Sequence, residues 1–142
     1  MFNKIITVII ITFTLVSCQN KTTQKWEETM RVHDEVMLKM EATGTLGLKI
    51  NNLIEQTQKA DSNAILFSKL DTLQSAYSKL ELSEEEMMDW MASIQKPKKG
   101  DRQDSIIQYL EQEQKAIIEV GHHMDAAIEN AELILNSLEN IK

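Results

Sequence analysis

The chain has 142 residues and a formal net charge of −7, with 22 acidic side chains against 15 basic. That length suits one domain, and the acidic balance weighs against a nucleic-acid backbone as partner and against electrostatic attachment to anionic lipids. A single cysteine excludes an intrachain disulfide, and four glycines with one proline leave little room for a fold rich in turns.

Residues 1–4 carry one positive charge, Lys4, and residues 5–13 form an apolar, β-branched run. Leu15, Val16, Ser17 and Cys18 close the segment. It is too short and wrongly flanked for a spanning helix and reads as a secretory signal. The only cysteine follows directly on the small residue Ser17, and this ending resembles a bacterial lipoprotein lipobox. The resemblance implies cleavage before Cys18, a diacylglycerol on its thiol and an acyl chain on its new amine. An uncleaved signal anchor with an incidental cysteine is the alternative. Each buried methylene contributes ~0.8 kcal/mol, so several chains on one residue anchor stably. Gln19 and Asn20 lack the aspartate that resembles an inner-membrane retention signal, and no acidic cluster follows Cys18. The expected location is the outer membrane, facing the periplasm. Residues 1–17 are thus expected to be signal, 18–25 a lipidated polar tether, and 26–142 a helical bundle. Cleavage would leave 125 residues with fourteen basic and 22 acidic side chains, a charge of −8.

Three helical segments follow. The first is expected over 24–59, where Trp26, Met30, His33, Met37 and Met40 recur at spacings of three and four. Gly44 and Gly47 interrupt it at ~1 kcal/mol each, so a kink or a close neighbour is expected there. Ile50, Leu53 and Ile54 resume the pattern, and 59–63 supply cap residues. The second helix is expected over 63–95, on Leu66, Leu70, Leu73, Tyr77, Leu80, Met87, Met91 and Ile94, with Glu84 the polar intruder. Ser83 and Glu86 have capping-box spacing, which marks a second place for a kink or restart. The run from Lys96 through Pro97, Lys98, Lys99 and Gly100 to Asp101 is the clearest loop, with Asp101 or Asp104 available as a cap. The third helix is expected over 104–140, on Ile107, Leu110, Gln114, Ile117, Gly121, Met124, Ile128, Ala131, Leu135 and Leu138. Ile106, Val120, Ala127 and Ile134 widen that stripe, which suits a helix packed on two neighbours. The expected fold is all-α, three long antiparallel helices in an up-down-up bundle, with dimeric or trimeric coiled-coil assembly as the alternative.

Short motifs carry a second resemblance. His33-Asp34-Glu35-Val36-Met37, Met87-Met88-Asp89-Trp90-Met91 and the run from Tyr109 to Lys115 are similar to the signatures of short Bacteroidota-type helical lipoproteins, often labelled viral A-type inclusion protein. The chain departs from that pattern at Leu38, where the family tends to carry proline, and in a shorter link before the third helix. The resemblance implies a periplasm-facing helical lipoprotein and brings no activity with it.

Methionine and histidine form the one constellation with chemical potential. Met30, Met37 and Met40 on the first helix and Met87, Met88 and Met91 on the second would meet near the tethered end of an antiparallel pair, with His33 among them. Thioether and imidazole are the soft ligand set that selects Cu(I). Methionines also fill irregular gaps beside aromatic rings, here Trp26 and Trp90. The packing reading is adopted, with Met30, His33, Met37, Met87 and Met91 as candidate copper ligands in the alternative. His122 and His123 point about 100° apart on a helix and are read as solvated, with Glu119 and Asp125 near enough to pair with them. Glu119 and His122 give a single Glu-x-x-His spacing, whereas carboxylate-bridged metal bundles need two inward copies. No catalytic or cofactor-binding residue is assigned. Lys142 resembles the terminal lysine that some small helical lipoproteins join to the cell wall. The expected role is binding or scaffolding on a membrane through the lipid of Cys18, with no nucleic acid. A protein partner or a second copy would use leftover apolar surface such as Ile118 and Val36.

Overall fold

A computed structural model describes residues 21–59, 64–98 and 100–139, with the side chains of 64–66 outside the description. Four helices follow in order: α1 Lys21–Met37, α2 Lys39–Lys59, α3 Ala64–Ser93 and α4 Gln103–Glu139. Only Leu38 separates α1 from α2, so the pair forms one rod and the fold is an all-α, three-rod, up-down-up bundle. Contacts between rods fix the directions. Lys25 reaches Gln114, Lys39 reaches Asp125 and Lys49 reaches Glu139, so the first rod runs parallel to α4. Trp90 meets Glu113, Glu86 meets His123 and Lys79 meets Asn130, so α3 runs against α4.

The helix begins at Lys21, so residues 21–25, expected in the tether, are its first turn. Residues 18–20, the signal segment, Cys18 and Lys142 lie outside the described residues.

Helix is continuous at both places where a kink or restart is expected, and the single interruption lies elsewhere. Backbone helix runs unbroken through Gly44 and Gly47, and the rod breaks at Leu38 instead. Neither glycine marks a tight approach. A Cβ at Gly44 would sit 3.8 Å from Glu84 Oε1, and one at Gly47 would sit 3.8 Å from Tyr77 Cε2, both ordinary contacts. Ser83 does not restart α3 either. Its hydroxyl donates to Leu80 O within the same helix, and Glu86, the other half of the expected capping box, is turned to His123. Asp101 does not cap α4. Its carboxylate accepts from Lys98 N at 2.8 Å and closes the 98–101 turn, in which Gly100 takes a positive φ of 104° that only glycine adopts without strain.

The core line of the first rod runs through Thr22, Thr29, Val36 and Thr43, seven residues apart, then Gly47, Ile50 and Ile54. The spacing crosses the break at Leu38 without change of phase. Trp26, Met30, His33, Met37 and Met40 flank this line rather than form it, being half-buried. Threonines can occupy it because two hydroxyls are satisfied at home. Thr29 donates to Lys25 O at 2.9 Å and Thr43 to Met40 O at 3.0 Å. No buried side-chain polar atom is left without a partner among the described residues, so the desolvation cost of an unpaired group is avoided.

Two apolar clusters divide the bundle lengthwise. One holds Ile50, Ile54, Leu73, Ala76, Leu80, Ala127, Ala131 and Leu135, from α2, α3 and α4. The other holds Val36, Met87, Trp90, Ile117, Val120 and Met124, from α1, α3 and α4, with five further methionine and aliphatic side chains and Met91 packed against it. Each fully buried large aliphatic side chain contributes roughly 1.5–3 kcal/mol relative to exposure.

Gly121 is the one helical glycine with a steric task. A Cβ there would fall 2.9 Å from Val36 Cγ2, inside contact distance of a buried, β-branched side chain. Gly44→Ala is expected to stabilise the fold by roughly 0.5–1 kcal/mol, the ordinary helix-propensity gain. Gly121→Ala is expected to lose about 1 kcal/mol net, because overpacking at ~1–3 kcal/mol outweighs that gain. Urea unfolding of the two variants checks both signs, and a stabilised Gly121→Ala would mean that α1 and α4 do not touch there.

Candidate functional site

Helices α1 and α3 approach each other only through long side chains: among the described residues no Cα of one lies within 8 Å of a Cα of the other. Trp90 fills the gap. It is buried, its Nε1–H donates to Glu113 O on α4 at 3.2 Å, and its ring stacks on His33 with centroids 5.6 Å apart and planes 26° apart. One side chain thus touches both other rods. Around it the predicted methionines gather. Met87 is fully buried, and Met30, Met37, Met40 and Met91 pack on the same cluster. Met88 does not join them and is 55% exposed.

The five candidate copper ligands therefore share one end of the bundle, as an antiparallel first pair requires. His33 lies at its margin, with Nδ1 2.9 Å from Asp34 Oδ1. Any ligand role for that ring falls to Nε2. Among the described residues no three His, Cys, Asp or Glu side chains gather as a metal group, so a metal at this end would rest on thioethers and His33.

The histidine pair on α4 is exposed as expected, and the hydrogen-bond partner of His123 comes from another helix. Both rings are exposed, but the partner of His123 is neither Glu119 nor Asp125. Its Nδ1 lies 2.7 Å from Glu86 Oε2 on α3, beside a small groove lined by Leu82, Ser83 and Ala127. Asp125 instead accepts from Lys39 at 2.6 Å. The Glu86 hydrogen bond and charge, with a lesser pull from Glu119, raise the His123 pKa above its ordinary value. Sequence spacing within α4 could not find this pair. The antiparallel register could, since Lys79 with Asn130 and Glu86 with His123 add to the same residue sum.

A second groove, of about 630 Å³, lies just beyond the C-terminal end of α3, between the first turns of α1 and the link that leads to α4. Thr22, Thr23 and Trp26 form one wall and Lys96, Pro97 and Lys98 the other. The loop is pinned to the bundle by Tyr109, whose hydroxyl accepts from Gln95 N at 2.8 Å.

Of the two apolar residues expected to be left for a partner, Ile118 is exposed and Val36 is not. Val36 is buried, because it packs on Gly121. Ile118 is exposed, as are Leu38, Leu48, Phe67, Leu82 and Leu133. No protein-family model, curated protein or solved structure matches the chain. Function is read from its own residues.

A raised His123 pKa sets a direction for stability against pH. The Glu86 pair contributes fully below the unfolded histidine value of about 6.5 and is lost as pH rises through the higher folded value. The pair is half-exposed, so it is worth roughly 0.2–1 kcal/mol. Urea unfolding is expected to show His123→Ala less stable than the parent at pH 5.5 and equal to it at pH 9. An equal difference at both values would place the effect in packing instead of charge.

Proposed function

We propose that the protein is a lipid-anchored helical bundle that faces the periplasm from the outer membrane and acts, without catalysis, as a binding or scaffolding module. The observation that carries this reading is Cys18, the only cysteine, set directly behind an apolar run and a small residue. No described helix is long and apolar enough to cross a membrane, and acyl chains on Cys18 would hold the bundle there without one. The resemblance of the His33–Met37 and Met87–Met91 motifs to short Bacteroidota-type helical lipoproteins supports the same placement. Large exposed side chains such as Leu38, Leu48 and Leu133 support a role in contact with another protein or a second copy.

Native mass spectrometry of the protein from its own membranes tests the anchor. Acyl mass on a chain beginning at Cys18 is expected, and Cys18→Ser is expected to lose that mass and leave the membrane fraction. A free thiol at Cys18 on a chain that keeps residues 1–17 would remove the reading.

The convergence of Met30, Met37, Met87 and Met91 beside His33 supports one second reading, a Cu(I)-binding lipoprotein. Here the double variant His33→Ala, Met37→Leu is expected to show a sharp fall in Cu(I) affinity, measured by competition with a chromophoric chelator. Unchanged affinity leaves the methionines as core.

A further inference from the structure

We propose that the bundle stands on the membrane by its loop end, with Lys96, Lys98 and Arg102 against anionic phosphate headgroups. This inference rests on the lipid-anchor reading and adds an orientation and a contact to it. Chain length supplies the first constraint. Helix α1 starts at Lys21, three residues after Cys18, and three residues span at most ~11 Å. The first turn of α1 therefore stays within that reach of the lipid. The loop shares that end, because Thr22, Thr23 and Trp26 line one groove with Lys96, Pro97 and Lys98. The opposite end lies ~55 Å away along the 37 residues of α4.

Charge supplies the second constraint. Lys96, Lys98 and Arg102 are exposed, and none of their side chains enters an ion pair among the described residues. On the rods Lys25, Lys39, Lys49 and Lys59 are each paired with a carboxylate, while Lys69, Lys79 and Lys115 are in no ion pair among the described residues and are spread along the flanks. The acids at this end are Asp101, which accepts from the Lys98 backbone, Glu27, which lines the groove, and Asp104, exposed in the first turn of α4, so the three basic side chains act through their position at the tip and not through a net excess of charge. The flanks of the bundle carry Glu81, Glu84, Glu85, Glu86 and Asp89 on α3 and Glu111, Glu113 and Glu119 on α4. A rod lying on its side would press these acids against anionic headgroups, while an end-on rod holds most of them beyond the ~8 Å screening length. Juxtamembrane lysine and arginine are attracted to such a surface, and an interfacial tryptophan suits the headgroup level, where Trp26 would sit.

The test uses the full lipidated chain in phosphatidylcholine vesicles, with and without phosphatidylglycerol and with a nickel-chelating headgroup. With Cys18 acylated, one introduced cysteine is the only free thiol to carry a spin label. Gln103→Cys places it beside the loop and Leu133→Cys ~45 Å along α4. In anionic vesicles nickel is expected to broaden the Gln103 label strongly and leave the Leu133 label sharp. Without phosphatidylglycerol, at high salt, or when Lys96, Lys98 and Arg102 are all changed to Glu, the short tether alone holds this end near the lipid, so the Gln103 broadening is expected to weaken severalfold without vanishing. Equal broadening at both positions, or broadening at Gln103 indifferent to phosphatidylglycerol and salt, would overturn the proposal while Cys18 carries acyl mass. An unacylated Cys18 in the mass spectrum would overturn the anchor reading beneath it.

Discussion

Val36 rests on the bare backbone of Gly121, and the rest of the bundle is arranged around that contact. Three residues on, Lys39 donates to Gly121 O at 3.0 Å and to Asp125 at 2.6 Å. The two grips straddle Leu38, the one residue at which the first rod departs from helix. A larger residue at 121 would push α1 outward, and the buried line Thr29, Val36, Thr43, Ile50 would no longer meet α4 in step. The break at Leu38 is accommodated because both of its flanks are tied to the same turn of α4. Leu38 itself faces solvent and contributes nothing to that hold.

Close approach of α1 to α4 has a cost on the other side, where α1 stands away from α3. Small residues cannot close such a gap, and a void there would forfeit dispersion contacts over its whole lining. The chain places its largest and most adaptable side chains at that point: Trp90, Met87, Met91, Met30 and Met37. At the other end α2 lies directly against α3, and alanine and branched aliphatics suffice. Between the two clusters come Thr43 and Gly47 on α2 and Ser83 on α3, all small. Methionine enrichment at one end thus follows from helix spacing, whether or not a metal ever binds there.

Helix number, direction and the α4 core were legible because apolar residues at spacings of three and four dominate Leu73 to Met87 and Leu110 to Leu135. What was not legible has a common cause. Hydropathy alone treats Thr22, Thr29, Thr43 and Ser83 as polar, yet hydroxyls that bond back to their own helix are cheap to bury. Counting them as apolar shifts the stripe of the first rod by one position. Val36 then moves into the core, and His33 and the methionines move to its margin. Local motifs misled in the same way. Gly44 and Gly47 lower helix propensity, but Ile50 and Ile54 supply the packing that overrides it. Ser83 and Glu86 have capping spacing, but a continuous helix offers no free N–H for them to cap.

The exposed charges follow from register as much as from composition. Parallel alignment of the first rod with α4 sets Lys25, Lys39 and Lys49 opposite Gln114, Asp125 and Glu139, so these three lysines are spent within the bundle. Antiparallel alignment of α3 with α4 sets His123 opposite Glu86, the only cross-helix partner those α3 acids acquire among the described ion pairs. The link after α3 adds Lys96, Lys98 and Arg102, which enter no ion pair among the described residues and lie across a groove from the first turn of α1. A protein acidic overall therefore gathers exposed lysine and arginine at one tip, among Glu27, Asp101 and Asp104, and topology places that tip beside the first turn of α1. Two properties that read as unrelated in the sequence, a short leader to the first helix and a lysine-rich link, become neighbours because three rods of similar length turn twice.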